Sequence, residues 1–486
     1  MILQLLPEAA LVVAALVLLG TAVASKRPLA PEAASWLAAG GILLAGICWC
    51  FAPRGLDAGS VLLAADPLSR AAKGVVLGLG LLAALLPPAR REMEHPGEYF
   101  ALLLFALTGL LLAVGSAHLM FIFVALELAG LSFYLLAGFP RTPRASEASL
   151  KYFLFGGVSA AFMLFGISLL YGASGGVTLG GISQALVSGE TNLLAMTGLA
   201  MLLAGLGFKL AAAPFHYWAP DVYQGAPATT VALISAASKA TGVVVMLRVL
   251  QTGFPSLAGS AAWGNMAAGW SLWLAVLAAV SMILGNVLAL AQTSVRRLLA
   301  YSAIANAGYL LVAFVANGPQ SAAAALFYVV VYGLATLGAV AVTAAVERER
   351  GDDRICSFAG LIHRSPFQAV CLLVFLMSLA GIPPLAGFVG KFSLFSHALA
   401  EGGGLGLAWL VGLAAVLSAV SLYYYLSVLK QAFVAGGPDH ETNVTNRLSL
   451  SHVLCIGLPA LVIVVLGIFP ALLAGPIMRA IASLLP

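Results

Sequence analysis

Fourteen long apolar runs follow one another along this chain, at 2–24, 34–52, 70–88, 99–115, 118–138, 150–172, 191–213, 227–250, 270–294, 297–316, 321–346, 366–397, 405–433 and 451–475. Each is close to the ~20 apolar residues that a helix needs to cross a hydrocarbon core of roughly 30 Å. Their succession decides the fold class: an all-α polytopic membrane protein of about 14 transmembrane helices. Barrel strands would alternate polar and apolar residues over short segments, whereas these runs are long and uninterrupted. With 62% hydrophobic and 8% charged residues among 486, the chain lacks the polar surface of a water-soluble domain. No lysine or arginine precedes the first run and no small-residue cleavage site follows it, so it reads as a span and not as a removable signal.

The placement of lysine and arginine orients the spans. With the N-terminus outside, the cytoplasmic loops carry Lys26, Arg27, Arg90, Arg91, Arg141, Arg144, Arg296, Arg297, Arg348, Arg350, Arg354, Lys430 and Arg447, while the opposite loops hold mainly Arg54, Arg70, Lys73 and Arg248. That is a positive-inside alternation. The net charge of +5 therefore reports topology, and no nucleic-acid partner is implied.

The polar stretches 347–358 and 436–447 are too short to build a core, so residues 1–486 form a single membrane domain. Within it we expect a three-helix segment at 1–98, a first repeat at 99–250, a second at 270–433 and a C-terminal helix at 451–475. Proline interrupts the runs in two places without ending them, at Pro214 in "KLAAAPFHYW" and at Pro383 and Pro384 in "LAGIPPLAGFVGKF". Broken helices in corresponding positions of two halves point to inverted repeats with an ion pathway near the bilayer midplane. The expected architecture is thus two inverted five-helix repeats, each with one proline-broken helix. Cys48, Cys50, Cys356, Cys371 and Cys455 show no ligand spacing and read as inert, buried thiols.

Nearly all acidic residues fall in loops or at span ends, but Glu127 lies in the middle of "LMFIFVALELAGLSFYLLAGF". Lys209, Lys239 and Lys391 share that position inside apolar runs. A charge at the bilayer centre costs about 2.5–3.5 kcal/mol on insertion scales unless it finds a partner or water. Four such groups suggest a proton relay, in which a carboxylate beside a buried lysine governs whether the lysine holds or releases its proton. Lys151 reads either as a snorkelling anchor or as a further relay position. His216, just past Pro214, reads either as a proton carrier or as a histidine bonded to a carbonyl freed at the break. Asp221 reads as a helix-capping or loop residue, and His118, His397 and Glu401 as interfacial ones. The tyrosines at 423–425 and the tryptophans Trp263, Trp270 and Trp273 suit packing or an interfacial belt.

"KLAAAPFHYWAPDVYQGAPATTVALISAASK" (209–239), "SEASLKYFLFGGVSAAF" (146–162) and "SLAGIPPLAGFVGKFSLF" (378–395) resemble the antiporter-like membrane subunits of respiratory complex I, the proton-pumping NADH:quinone oxidoreductase. Within that family "PDVYQGAP" followed by "SAASK" is most similar to the N-type subunit, and lysine at 391 disfavours the M-type, which usually has glutamate there. The resemblance implies that Glu127, Lys209, Lys239 and Lys391 match the family's relay residues, with Lys151 and His216 near the same polar axis. Asn306 departs from the histidine of some wider relatives.

The same resemblance implies a bacterial cytoplasmic (inner) membrane location, neighbouring antiporter-like and small membrane subunits as partners, and lipid around them. It implies an enzyme only in the sense of one subunit of a translocase. This chain would bind no cofactor, the flavin mononucleotide (FMN), iron–sulfur clusters and quinone being expected elsewhere in the complex. The expected function is proton translocation driven by electron transfer from NADH to quinone: changes from the quinone end reset Glu127 and Lys209, and the proton passes by Lys239 towards Lys391. A subunit of a multi-subunit cation/proton antiporter or a membrane-bound hydrogenase is the alternative, and a purely structural spacer a third.

Overall fold

The computed structural model describes residues 2–24, 29–53, 62–64, 66–86, 93–187, 193–401, 406–436 and 449–482. The loop charges Lys26, Arg27, Arg54, Arg90, Arg91 and Arg447 lie outside the described residues. The helices run α1 (Leu6–Ala24), α2 (Pro31–Phe51), α3 (Pro67–Ala84), α4 (Pro96–Val114), α5 (Leu119–Gly138), α6 (Pro143–Ser174), α7 (Leu179–Val187), α8 (Leu193–Leu210), α9 (Trp218–Gly225), α10 (Ala228–Leu233) and α11 (Lys239–Arg248). They continue with α12 (Trp270–Leu290), α13 (Val295–Ala316), α14 (Pro319–Arg350), α15 (Leu361–Arg364), α16 (Pro366–Ala380), α17 (Ala386–Glu401), α18 (Ala408–Phe433), α19 (Leu450–Ile468) and α20 (Ala471–Ala482).

Among the described residues thirteen helical segments are long and apolar enough to span a membrane, and they coincide with thirteen of the fourteen runs. The fourteenth, 366–397, is divided by its prolines into α16 and α17, of 15 and 16 residues. Proline also marks helix starts: α2, α3, α4, α6, α14 and α16 each open on one. There its missing N–H is no loss and its fixed φ suits the first turn. Residues 228–253 form a continuous helical rod, with π-helical turns at Ile234–Ser238 and Val249–Gly253 on either side of α11. Its apolar window is wholly buried.

The two halves repeat one packing motif. A β-carbon on Gly109 of α4 would lie 2.6 Å from the Ala125 carbonyl oxygen of α5, and one on Gly285 of α12 would lie 2.4 Å from the Ala305 nitrogen of α13. Only glycine admits a backbone that close, and small residues are how helices associate where no hydrophobic effect drives them together. The broken helices repeat as well. Ala211 (φ 56°) ends α8 and Gly381 (φ 86°) ends α16, both left-handed. In each break the next N–H donates five residues back, Ala212 to Gly207 at 2.9 Å and Ile382 to Met377 at 3.0 Å, the closure that ends a helix cleanly.

Basic groups of α6, α13 and the α14 end gather on one face of the bundle, where Arg296 pairs with Glu347 at 2.5 Å and Arg297 with Asp221 at 2.8 Å. Large apolar side chains of α2 and α6, such as Leu43, Leu44, Phe155 and Val158, stay exposed on the flanks, as a lipid or subunit environment requires. One expectation is corrected here. Cys50 and Cys356 are exposed, so the buried thiols are Cys371 and Cys455. Of the packing and belt readings, packing holds for Trp270: it is buried, with its indole N–H donating to the Phe254 carbonyl at 2.8 Å. His118 caps α5, its Nδ1 accepting the Phe121 N–H at 3.3 Å.

Candidate functional site

The first break shapes the surroundings of Lys209, which stands in the last turn of α8. Backbone groups released by the break find new partners: the Ala213 N–H donates to Ser281 Oγ of α12 at 2.8 Å, and Trp218 Nε1 donates to the Phe208 carbonyl at 3.2 Å. Such re-satisfaction is what allows irregular backbone at membrane depth. Lys209 is 8% exposed, and its Nζ donates to the Leu126 carbonyl at 3.2 Å, one residue before Glu127. It makes no direct ion pair with Glu127, which is half-buried on α5. Gly130 provides the room, since a β-carbon there would lie 3.1 Å from Tyr134 Oη and 3.2 Å from Lys209 Nζ. Glu127, Gly130 and Tyr134, at i, i+3 and i+7, therefore share the α5 face that meets Lys209.

Lys239 follows directly on a π-turn and is 3% exposed. Its Nζ donates to the Ala303 carbonyl of α13 at 2.6 Å and stands 4.7 Å from the Tyr332 ring centre. Lys391, on α17 and 4% exposed, reaches back across the second break to the Ala380 carbonyl at 3.3 Å. It also donates to Ser418 Oγ of α18 at 2.9 Å. The Tyr309 ring centre lies 4.9 Å from its Nζ. An aromatic face attracts a cation through its quadrupole, so both ammonium groups sit between a neutral acceptor and a π-face.

Between Lys239 and Lys391 the helices enclose polar groups to which the sequence assigns no relay role. Tyr328 Oη donates to Asn306 Oδ1, and Asn306 Nδ2 donates to the Ser302 carbonyl at 2.8 Å. Ser302 and Tyr425 hydroxyls are hydrogen-bonded to each other. The rings of Tyr424 and Tyr425 meet edge-on at 4.5 Å. Tyr424 Oη donates to Asn286 Oδ1 at 3.1 Å, and Asn286 Nδ2 donates to Tyr309 Oη at 3.2 Å, which brings the chain to the ring under Lys391. Of the packing and belt readings, packing holds for Tyr424 and Tyr425, which are buried and hydrogen-bonded in the interior.

The two further positions differ. Lys151 is an ion-pair residue at the basic face: its side chain is 38% exposed and contacts Glu147 at 2.6 Å and Asp221 at 2.7 Å. Asp221 also accepts from Arg297, so it fastens α9 to α6 and α13 and caps nothing. Burial pushes its carboxyl up, but the hydrogen bonds from Lys151 and Arg297 outweigh this and hold it below the usual carboxylate range. His216 is buried in the break, stacked on Tyr217 with ring centres 4.6 Å apart, and lies beside the backbone of Pro214.

Residues 116–419 match the family described as NADH:quinone oxidoreductase/Mrp antiporter, transmembrane. A relative from Acidobacterium capsulatum, "NADH-quinone oxidoreductase subunit N 2", is 49% identical over 398 residues, covering 81% of this chain and 80% of its own. A chain of respiratory complex I from Thermus thermophilus superposes with a TM-score of 0.78 at 34% identity, covering 96% of this chain and 98% of that one. A chain of the Mrp complex from Dietzia sp. gives a TM-score of 0.81 at 20% identity, with 100% and 98% covered; at that distance the likeness is one of fold alone.

Proposed function

The chain belongs to the NADH:quinone oxidoreductase/Mrp antiporter family of membrane subunits, with subunit N of NADH-quinone oxidoreductase as its relatives, and from that premise we propose that its protons move through Glu127, Lys209, Lys239 and Lys391. It is a proton-translocating subunit of that oxidoreductase, one part of a translocase whose other membrane subunits are its partners. Flavin, iron–sulfur clusters and quinone belong to those other parts in this reading. The host membrane is a bacterial cytoplasmic membrane with the N-terminus outside, the basic face of α6, α13 and α14 lying inside.

One observation carries the relay. Lys209, Lys239 and Lys391 are each buried and each donate to a backbone carbonyl, and among the described residues none of them contacts a carboxylate. Charges kept only to lock helices together would be paired directly, since unpaired ones are costly in a low-dielectric interior. A neutral acceptor leaves the ammonium free to pass on a proton. Glu127, within electrostatic range of Lys209 yet not in contact with it, is placed to modulate that lysine. From Lys209 the proton passes His216 to Lys239, then along the tyrosine and asparagine groups to Lys391. Lys151 belongs to the basic face and stands outside this route.

The test is the proton-to-electron ratio of the assembled complex carrying Glu127→Gln, Lys209→Ala or Lys239→Ala. The expected result is a lower ratio with subunit assembly intact. An unchanged ratio in all three would remove the relay and favour a structural role.

A further inference from the structure

The ten residues of α11 carry a lysine at the first position and an arginine at the last, Lys239 and Arg248. A rise of 1.5 Å per residue separates them by roughly 13 Å along the axis. Both ends pass straight into π-helical turns. Such a turn accommodates one extra residue and is frequent at functional sites, so the register of the helix between two of them is set by where each extra residue sits. Close packing around the wholly buried rod holds its register in part, and the polar side-chain anchors at its two ends fix it further.

Arg248 is the anchor at the far end. It is 2% exposed, and its guanidinium donates Nη1 to Asp66 Oδ2 at 2.6 Å, and Nη2 to Asp66 Oδ1 at 2.9 Å and to Ser69 Oγ at 2.8 Å. Asp66 is itself fixed, because its Oδ1 also accepts the Ser69 N–H at 2.7 Å as the N-cap of α3. That helix is tied in turn to α1 through Lys73 and Glu8 at 2.6 Å. The guanidinium is buried while the Asp66 side chain is 23% exposed, and removing either partner of such a two-pronged pair leaves the other's charge uncompensated. At the near end of α11 stands the Lys239 contact with Ala303.

We propose that Asp66 and Arg248 form a register clamp that holds α11 so that Lys239 addresses the Ala303 carbonyl and the Tyr332 ring. Both are positioning residues, and the N-terminal helices thereby take part in proton transfer as the fixed support of the Lys239 helix. The functional half of this inference rests on Lys239 carrying protons; the geometric half does not.

The experiment uses the assembled complex with Asp66→Asn, with Arg248→Lys, and with the exchanged pair Asp66→Arg plus Arg248→Asp. Hydrogen–deuterium exchange is followed over 234–253, together with the proton-to-electron ratio. Asp66→Asn is expected to raise exchange at least tenfold in both π-turns, to leave α8 unchanged, and to lower the ratio. Arg248→Lys keeps the charge but loses the fork, so it gives a smaller change of the same kind and carries the test if Asp66→Asn fails to assemble. The exchanged pair recovers both readouts in part. Unchanged exchange in Asp66→Asn, or in Arg248→Lys where that variant carries the test, overturns the clamp. Raised exchange with an unchanged ratio, in a complex where Lys239→Ala lowers it, overturns the positioning role. If Lys239→Ala leaves the ratio unchanged, the relay fails instead, and exchange alone decides the clamp.

Discussion

Lys391 reaches across the second helix break to the carbonyl of Ala380, 3.3 Å away, and its stem passes over Gly381. The glycine is left-handed at φ 86°, and a β-carbon there would lie 3.0 Å from Lys391 Cδ. Gly381→Ala should therefore act twice: the left-handed conformation costs an L-residue about 1–2 kcal/mol, and the methyl pushes the lysine off its carbonyl. The expected outcome is a lower melting temperature and a proton-to-electron ratio close to that of Lys391→Ala. A variant that melts earlier yet pumps normally would mean that Lys391 does not need the Ala380 contact.

Tyr328 offers a cleaner test of the polar groups between the two lysines. Tyr328→Phe removes the hydroxyl that donates to Asn306 Oδ1 and leaves that buried acceptor unpaired, at a cost of about 1–3 kcal/mol. Proton transfer between Lys239 and Lys391 should slow, with electron transfer slowing only as far as it is coupled. Tyr423→Phe is the control, because Tyr423 is 70% exposed and should tolerate the change. Equal effects of the two variants would count against a bridge.

Why Glu127 and the three lysines are legible in the sequence while Tyr328, Asn306 and Tyr425 are not is a matter of contrast. An ionisable group inside an apolar run is conspicuous at any position, because the bilayer makes it costly wherever it faces. A tyrosine in the same run is amphipathic and equally at home in packing, so its role is set by what lies opposite. For Tyr424 that is Asn286, 138 residues earlier in the chain. The runs themselves give the spans, and proline gives both breaks. The π-turns around Lys239 have no such sign, since "ISAAS" and "VLQTG" carry no residue that demands an extra turn member. The choice between belt and packing stays open for Trp270 in the sequence for a related reason: its polar N–H suits a membrane interface as well as the buried Phe254 carbonyl that it meets.

Asp221 predicts a pH dependence of the basic face. Because Lys151 and Arg297 hold its carboxyl below the usual carboxylate range, folding favours the ionised form. That contribution is complete above the unfolded value of roughly 3.9 and is lost as pH falls through the lower folded value. Thermal melts of the purified complex should show a constant gap between wild type and Asp221→Asn from pH 8 down to pH 5. The gap, about 1 kcal/mol for so exposed a network, should close only below about pH 4. A gap that closed nearer neutrality would assign the effect to another group.

Gly130 separates the positioning of Lys209 from its chemistry. A methyl at this position would stand 3.2 Å from Lys209 Nζ and 3.1 Å from Tyr134 Oη, closer than such groups ordinarily approach, and both are ends of side chains that can give way. Alanine is also a better helix former than glycine, by about 1 kcal/mol. Gly130→Ala should therefore leave stability equal or slightly higher, while moving the ammonium away from the Leu126 carbonyl and changing its distance from Glu127. If Lys209 works through its relation to Glu127, the proton-to-electron ratio falls in a protein that melts no earlier than wild type. Gly109→Ala is the contrasting variant, because its methyl would meet the Ala125 backbone 2.6 Å away, which cannot yield without separating α4 from α5. Loss of pumping and of stability should travel together there and part company at Gly130. A Gly130→Ala protein with unaltered pumping would show that the fine placement of Lys209 beside α5 carries no proton-transfer function.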